Sequence, residues 1–210
     1  MNKPIIGVIN YGAGNCSSVK RMLSKLGYRC RIIRSIEEFI DVKILLIPGV
    51  GAFASAMKSL HKLHLLKPIL EFAYQGFPII GICLGMQLLA EASYEHTYVR
   101  GLGLIAGEVQ PISKPLWHVG WNTLEVVGKD SMVQGSHGEH FYFNHSFEFN
   151  AVEHVIGISK VKQHAIVSIV KKDNIYGFQF HPEISQDAGL KLMNKVIAKL
   201  CCSSELLCDA

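Results

Sequence analysis

Residues 77–89, Phe-Pro-Ile-Ile-Gly-Ile-Cys-Leu-Gly-Met-Gln-Leu-Leu, decide the fold. The apolar run Phe77–Ile82 predicts a buried strand, and Leu84–Ser93 predicts a helix that follows it. The pattern Gly-Ile-Cys-Leu-Gly between them is typical of a sharp strand-to-helix turn that raises a nucleophile above the edge of a sheet. Its glycines are needed because neighbouring backbone crowds such a turn. The stretch therefore predicts an α/β fold with Cys83 at its reactive edge.

The chain before this stretch alternates between apolar strands and amphipathic helices. Its predicted strands are Lys3–Asn10, Arg29–Ile33 and Lys43–Pro48. Its predicted helices are Ser17–Leu26, Ser35–Ile40, Phe53–Leu60 and Leu65–Gln75. Continuous apolar strands separated by helices indicate a parallel sheet that is covered on both faces.

The chain after residue 104 changes character. Short runs separated by turn residues predict antiparallel strands at Trp117–Val127, His140–His145, Val152–Ile156, Ala165–Val170 and Ile175–Phe180. A closing helix is predicted at Gln186–Leu200, and residues 201–210 are predicted to form a loosely held tail. The predicted fold class is α/β. One domain, residues 1–200, would have a central mixed, mostly parallel sheet flanked by helices, with an antiparallel β section in its C-terminal half.

The composition excludes several classes of protein. The chain is 49% hydrophobic and 18% charged, which favours a packed core over disorder. Its apolar runs are too short to span a membrane and its N-terminus lacks a signal-peptide pattern, so a cytoplasmic location is expected. The net charge of +4 is mild and scattered, which argues against nucleic-acid binding. The six cysteines include no C-x-x-C pair and no set of three or four metal ligands emerges, so neither a metal nor another cofactor is expected.

A cysteine nucleophile needs a base, and the base needs an orienting group. His181-Pro182-Glu183, at the end of a predicted strand, supplies both. In an extended segment residues two apart lie on the same side, so Glu183 would bind one ring nitrogen of His181 while the other faces Cys83. Pro182 would keep the backbone extended. The amide of Leu84 would point at a developing oxyanion.

Two of these segments resemble the class I, or triad, glutamine amidotransferase family: Gly-Ile-Cys-Leu-Gly-Met-Gln at 81–87 and Gln-Phe-His-Pro-Glu at 179–183. Four further motifs are similar to one branch of that family, the glutaminase subunits of imidazole glycerol phosphate synthase from histidine biosynthesis. They are Tyr-Gly-Ala-Gly-Asn at 11–15, Pro-Gly-Val-Gly-Ala-Phe at 48–53, His-Val-Gly-Trp-Asn at 118–122 and Phe-Tyr-Phe-Asn-His-Ser at 141–146. The similarity spans about residues 4 to 200.

The resemblance implies that Cys83, His181 and Glu183 form a triad that hydrolyses L-glutamine to glutamate and ammonia. It further implies an oxyanion hole at Val50, Gly51 and Leu84, and a glutamine site at Gly49, Gln87, His145 and Ser146. The implied partner is a separate (β/α)8-barrel cyclase subunit, which would form a heterodimer with this chain and use the ammonia to make imidazole glycerol phosphate. The residues implied at the partner face or the ammonia passage are Asn10, Tyr11, Asn15, Trp121, Asn122 and Tyr142.

Some positions depart from the family pattern near the expected partner or substrate face. Ile184 stands where a lysine is usual, and Asn144 stands where an apolar residue is common. These departures leave the partner open, because paralogous subunits supply ammonia for amidination of surface-polysaccharide sugars. The sequence is also compatible with a stand-alone cysteine hydrolase of the same fold and with a catalytically silent binding subunit.

Overall fold

A computed structural model describes residues 4–113, 117–151 and 153–206. The strands are β1 Ile5–Ile9, β2 Arg29–Ile33, β3 Val42–Ile47, β4 Ile79–Ile82, β5 Ala92–Ser93, β6 Val99–Arg100, β7 Gly107–Pro111, β8 His118–Thr123, β9 Glu125–Val126, β10 His140–His145, β11 Phe147–Ala151, β12 Val155–Val161, β13 His164–Lys172 and β14 Ile175–Phe178. The helices are α1 Cys16–Lys25, α2 Phe53–Lys62, α3 Leu66–Tyr74, α4 Leu84–Leu88, α5 Ser131–Gln134 and α6 Gln186–Leu206, with 3₁₀ helices at Ile36–Phe39 and Pro182–Ile184.

The largest sheet has eight strands in the order β2-β1-β3-β4-β14-β13-β12-β9. The strands from β2 to β14 pair in parallel, and β13, β12 and β9 continue the sheet antiparallel. A four-stranded sheet, β11-β7-β5-β6, and the hairpin-like pair β10-β8 complete the C-terminal half. The predicted fold class, a mixed and mostly parallel sheet flanked by helices with an antiparallel section, is confirmed.

The inner parallel strands β1, β3, β4 and β14 are largely apolar because both faces of the sheet are buried there, whereas the edge strand β2 carries Arg29 and Arg31. In β3, Ile44 and Leu46 pack with α1 and α6 on one face. Leu45 and Ile47 of the same strand pack with α2 and α3 on the other. Successive side chains of a strand point to opposite faces, so a strand between two helical layers must be apolar at every position.

Cys83 lies at the turn between β4 and α4, and its backbone is strained there, with φ 52° and ψ −112°. Its N–H donates to the carbonyl of Phe178 at 2.7 Å, which ties the turn to β14. The flanking glycines are sterically required. A Cβ on Gly81 would lie 2.6 Å from the carbonyl oxygen of Gly85, and a Cβ on Gly85 would lie 1.7 Å from that of Ile47. The predicted nucleophile turn is therefore present.

The loops after four parallel strands open at one edge of the sheet. Strands β1, β3, β4 and β14 are neighbours that run in the same direction. Their carboxyl ends therefore meet at the same edge, where α/β proteins commonly build ligand sites. The segments that follow these strands begin at Asn10, Pro48, Cys83 and Gln179.

The prediction of a helix from Leu84 to Ser93 is wrong in its second half. Helix α4 ends at Leu88, and residues 92–93 form β5. The carbonyls of Leu88 and Leu89 accept hydrogen bonds from Leu102 and Leu104, so the incoming loop replaces the next helical turn. Leu88 and Leu89 are fully buried. An apolar run of this kind does not reveal whether its buried residues continue a helix or form a turn.

Other boundaries also differ from the predictions. The predicted strand Val152–Ile156 begins at a residue outside the described ones, and the observed strands there are β11 and β12, which bracket that position. Strands β5, β6, β7 and β11 were not predicted. Strand β14 ends at Phe178, and a 3₁₀ helix rather than an extended segment occupies Pro182–Ile184.

The closing helix α6 runs from Gln186 to Leu206, six residues beyond its predicted end. The first residue of the predicted first strand, Lys3, lies outside the described residues. The same is true of residues 207–210 of the predicted tail. Among the described helices, α6 included, none combines the length and the apolar character needed to cross a membrane.

We predict that Gly85→Ala destabilises the fold by about 3 kcal/mol or more, because the new methyl group would overlap the carbonyl of Ile47. The free energy of unfolding, measured in urea, tests this. Gly135→Ala is the matched control, since its new methyl group would meet only the flexible ammonium of Lys195. Equal stability of both variants would contradict the proposed crowding at the turn.

Candidate active site

The structure brings Cys83, His181 and Glu183 together at the carboxyl edge of the sheet. The ring Nδ1 of His181 lies 2.8 Å from Oε1 of Glu183. The side chain of Cys83 is a neighbour of the same ring and helps to raise its pKa. His181 and Cys83 are buried, and the Glu183 side chain is only 3% exposed. The arrangement combines a thiol, a base and an orienting carboxylate, which is the geometry that nucleophilic catalysis by cysteine requires.

The backbone conformation that places Glu183 beside His181 differs from the predicted one. His181 caps the 3₁₀ helix Pro182–Ile184, so a tight turn, not an extended strand, carries Glu183 back towards the ring. The N–H of His181 donates to the carbonyl of Tyr142 at 2.8 Å, and its own carbonyl accepts from the hydroxyl of Ser185. Strand β10 therefore fixes the backbone of His181 independently of the proline.

The pKa of His181 is raised to about 10. Burial by itself lowers the pKa, but hydrogen bonds to Cys83 and Glu183 and the negative charges of those groups outweigh it. Because the folded pKa is raised, the protonated ring stabilises the folded state fully below about pH 6.5, and this contribution is lost as the pH rises through about 10. The ring therefore remains a proton donor at neutral pH.

Two further groups contact the sulfur of Cys83. The sulfur lies 3.8 Å from the carbonyl oxygen of Asn144, which accepts the S–H proton when the thiol is protonated. The side-chain amide of Gln179 donates to the sulfur, also at 3.8 Å. Gln179 is fully buried, and its Oε1 accepts from the amide of Gln87 at 3.1 Å. The sulfur therefore has three polar neighbours, namely His181, the carbonyl of Asn144 and the amide of Gln179.

A cleft of about 230 Å³ opens beside the thiol. The predicted site residues that line it are Val50, Gly51, Leu84, Gln87, His145 and Ser146. Glu95, Asn144 and Phe147 complete its wall. Gly51 adopts a φ of +107°, and the Val50 side chain is 43% exposed, so the Val50–Gly51 backbone forms an open rim.

Gly49 lies beneath this rim. A Cβ there would lie 2.4 Å from the hydroxyl of Tyr11 and 2.8 Å from Cβ of Leu84. The hydroxyl of Tyr11 donates to the carbonyl of Pro48 at 2.7 Å. Only glycine fits between these groups, and the rim is consequently pressed against the first turn of α4.

The predicted partner-face residues lie at the surface with one exception. Trp121 is 49% exposed and contacts the ring of Tyr142 edge to face. Asn10 and Asn122 are partly exposed, and Asn15 is exposed. Tyr11 is the exception: it is only 2% exposed, because its ring packs in the core and its hydroxyl supports Pro48. Its assignment to the partner face or the ammonia passage stays a prediction.

Sequence reasoning missed Gln179, Glu95 and His118. A glutamine inside the otherwise apolar run Tyr-Gly-Phe-Gln-Phe was the available signal for Gln179, because an uncompensated polar group is costly in a core. The carboxylate of Glu95 accepts a hydrogen bond from the Phe53 amide at 2.6 Å and lines the cleft from a loop with no local pattern. His118 contacts His145, which lies 27 positions further along the chain, so no local spacing reveals it.

Comparison with known proteins gives consistent matches. The family described as Glutamine amidotransferase class-I matches residues 7–199. The imidazole glycerol phosphate synthase subunit HisH of Desulfitobacterium hafniense is 41% identical over 194 residues, which cover 90% of this chain and 92% of that protein. The protein of the same name from Streptococcus mutans is 40% identical over 197 residues, which cover 92% of this chain and 98% of that protein.

A solved structure described as a glutamine amidotransferase superposes with a TM-score of 0.75. The superposition covers 93% of this chain and 98% of that chain, at 19% sequence identity. At this level of identity the likeness shows a shared fold.

We predict that Glu183→Gln lowers the pKa of His181 from about 10 by roughly one unit or more, because it removes an adjacent negative charge. Titration of the imidazole protons by NMR measures the change. Glu71→Gln, at an exposed residue paired with Lys67, is the control and leaves the titration unchanged. An unaltered His181 titration in Glu183→Gln would show that the carboxylate does not hold the proton on the ring.

Proposed function

The chain belongs to the glutamine amidotransferase class-I family, and we propose that it is the glutaminase subunit of an imidazole glycerol phosphate synthase in L-histidine biosynthesis. It hydrolyses L-glutamine to glutamate and ammonia and passes the ammonia to a synthase partner. The observation that carries the proposal is Cys83, placed on a strained turn beside His181, whose ring is oriented by a hydrogen bond to Glu183 and whose pKa is raised by both neighbours. The names of the similar proteins support the pathway.

In the proposed reaction, the thiolate of Cys83 attacks the side-chain amide carbon of glutamine. The carbonyl oxygen becomes an oxyanion, which the amides of Leu84 and of the Val50–Gly51 rim stabilise. The C–N bond then breaks, His181 gives its proton to the departing nitrogen, and a γ-glutamyl thioester and ammonia result. Neutral His181 then takes a proton from water, and the hydroxide attacks the thioester carbon. The C–S bond breaks, glutamate is released, and the thiolate of Cys83 and the protonated ring of His181 are regenerated.

The cleft offers groups of the right chemistry for the rest of glutamine. We assign the substrate site to Gly49, Gln87 and the backbone of His145 and Ser146, which lie at or beside the cleft. The carboxylate of Glu95, at the same cleft, is suited to the α-ammonium group of the substrate. The Glu95 carboxylate thus complements the positive end of the substrate.

Released ammonia would be protonated and diluted in bulk water, so the reaction needs a docked acceptor. We propose a separate (β/α)8-barrel cyclase subunit as the heterodimer partner, in the cytoplasm, where the free thiols would remain reduced. It would dock on Asn10, Asn15, Trp121, Asn122 and Tyr142. The exposed side chains of Val119, Trp121 and Ile184 give this face the apolar character of an interface core.

We predict low glutamine hydrolysis by the isolated chain and a large rise with the cyclase subunit and its nucleotide substrate. Cys83→Ala reduces the activity of the complex by roughly 10⁴-fold or more, since the nucleophile is lost. Glutamate release measures both effects. Strong activity of the chain alone would indicate a stand-alone hydrolase instead. Activation by a sugar-amidinating enzyme, and not by the cyclase, would move the chain to polysaccharide modification.

We predict that Trp121→Ala weakens binding of the cyclase subunit by roughly tenfold or more, because exposed tryptophans often dominate interface energies. Titration calorimetry measures the affinity. Tyr74→Ala is the control, since Tyr74 is 78% exposed at the end of α3, near the amino edge of the sheet. Equal affinity of both variants would remove Trp121 from the proposed interface.

A further inference from the structure

Two buried histidines outside the triad, His118 and His145, lie between the cleft and the proposed partner face. Nδ1 of His118 lies 3.0 Å from Nε2 of His145. Nδ1 of His145 lies 2.8 Å from the carbonyl oxygen of Phe147, and Nε2 of His118 lies 3.0 Å from the side-chain amide nitrogen of Asn122. The four ring nitrogens are thus all engaged within the protein.

These contacts fix the direction of every hydrogen bond. A carbonyl only accepts, so Nδ1 of His145 must carry a proton and, in the neutral ring, Nε2 must accept. His118 then donates from Nδ1 and accepts at Nε2. The amide of Asn122 supplies that last proton, because its nitrogen also donates to the carbonyl of Lys160 at 3.0 Å, where an amide oxygen would be repelled. In this series of hydrogen bonds every group donates to the next one, from Asn122 through His118 and His145 to the carbonyl of Phe147.

Both rings are held neutral, as this arrangement requires. Burial lowers the pKa of His118 to about 4. Burial also lowers the pKa of His145 to about 3, against the opposing effect of its hydrogen bond to Phe147 and with a further lowering by the charges of His118 and His181. A second proton on either ring would place two N–H groups against each other.

The series of hydrogen bonds continues from Phe147 to the nucleophile Cys83. The carbonyl of Phe147 also accepts from the side-chain amide of Gln87 at 2.9 Å. That amide donates to Gln179, whose own amide donates to the sulfur of Cys83. An uninterrupted path of hydrogen bonds therefore joins Asn122 on β8 to the sulfur.

We propose that His118 and His145 are positioning residues of the glutaminase site: through Phe147 and Gln87 they hold the 144–147 wall of the cleft in register with Cys83. The inference rests on the proposed function. It assigns to the His145 ring a role other than direct substrate contact, because both of its nitrogens are occupied. Since Asn122 begins the path at the proposed partner face, docking there would bear on the same wall.

Packing alone is the competing explanation. The ring of His118 stacks on Phe143 with centroids 4.3 Å apart, as an apolar ring would. His118→Phe keeps that stack and removes the donor to His145. His118→Asn loses most of the stack but retains an N–H donor at the position of Nδ1. The two variants therefore separate hydrogen bonding from packing in opposite directions.

The test uses the complex with the cyclase subunit. We expect His118→Phe to raise the KM for glutamine, and to slow inactivation by the cysteine-alkylating glutamine analogue azaserine, by roughly tenfold or more. His118→Asn recovers most of both. The complex stays folded at the assay temperature, which its thermal unfolding curve checks. Wild-type behaviour of His118→Phe, or an Asn variant no better than the Phe variant, would overturn the positioning role.

A second measurement is independent of activity. In long-range ¹H–¹⁵N spectra of the wild-type chain near pH 7, His118 and His145 should both show the Nδ1–H tautomer. An Nε2–H tautomer or a doubly protonated ring at either residue would refute the path. If wild-type protein neither hydrolyses glutamine nor reacts with azaserine, the proposed glutaminase function fails, and the tautomers still decide whether the path exists.

Discussion

The contact between Gly85 and the carbonyl of Ile47 is the constraint on which the rest of the site depends. It presses the first turn of α4 onto the end of β3, and a Cβ at this point would lie 1.7 Å from the oxygen. The chain must therefore turn sharply between β4 and α4, and Cys83 takes up a strained conformation that costs of order 1–3 kcal/mol. Strands β3 and β14 on either side of β4 hold that strain, and the sulfur is directed to the edge where the other site loops end.

Three histidines lie near this edge of the sheet, and their different surroundings give them different charges. The ring of His181 faces the side chains of Cys83 and Glu183, whose negative charges raise its pKa to about 10. His118 and His145 are buried among carbonyl, amide and neutral ring partners, so desolvation dominates and lowers the pKa of each ring. One histidine is suited to give a proton to a leaving group, while the other two are suited to keep fixed hydrogen bonds. Environment, and not residue type, divides these roles.

Much of this could be predicted from the sequence, because the parallel strands and the nucleophile turn have local patterns. Once β3, β4 and β14 are neighbours with the same direction, the segments at Pro48, Cys83 and Gln179 must converge. The contacts that escaped prediction depend on tertiary structure alone. Gln179 and Cys83 are 96 positions apart, and the end of α4 is set by a loop that reaches back from residues 102–105. The 3₁₀ helix after His181 produced the expected hydrogen bond by an unexpected backbone path, since two residues can meet through a tight turn as well as along a strand.

The least constrained part of the site is the rim at Val50 and Gly51, and this bears on the proposed dependence on a partner. Tyr11 and Leu84 fix the start of the rim from below, through Pro48 and Gly49. Beyond that anchor Val50 is 43% exposed and nothing lies within 4 Å of a Cβ placed on Gly51. A peptide between two glycines, anchored at one end and open at the other, reorients at little steric cost. The opposite wall is fixed by the histidine path. A partner that docks across both would therefore act on the cleft mainly by setting the rim, while the nucleophile and its base remain where the fold holds them.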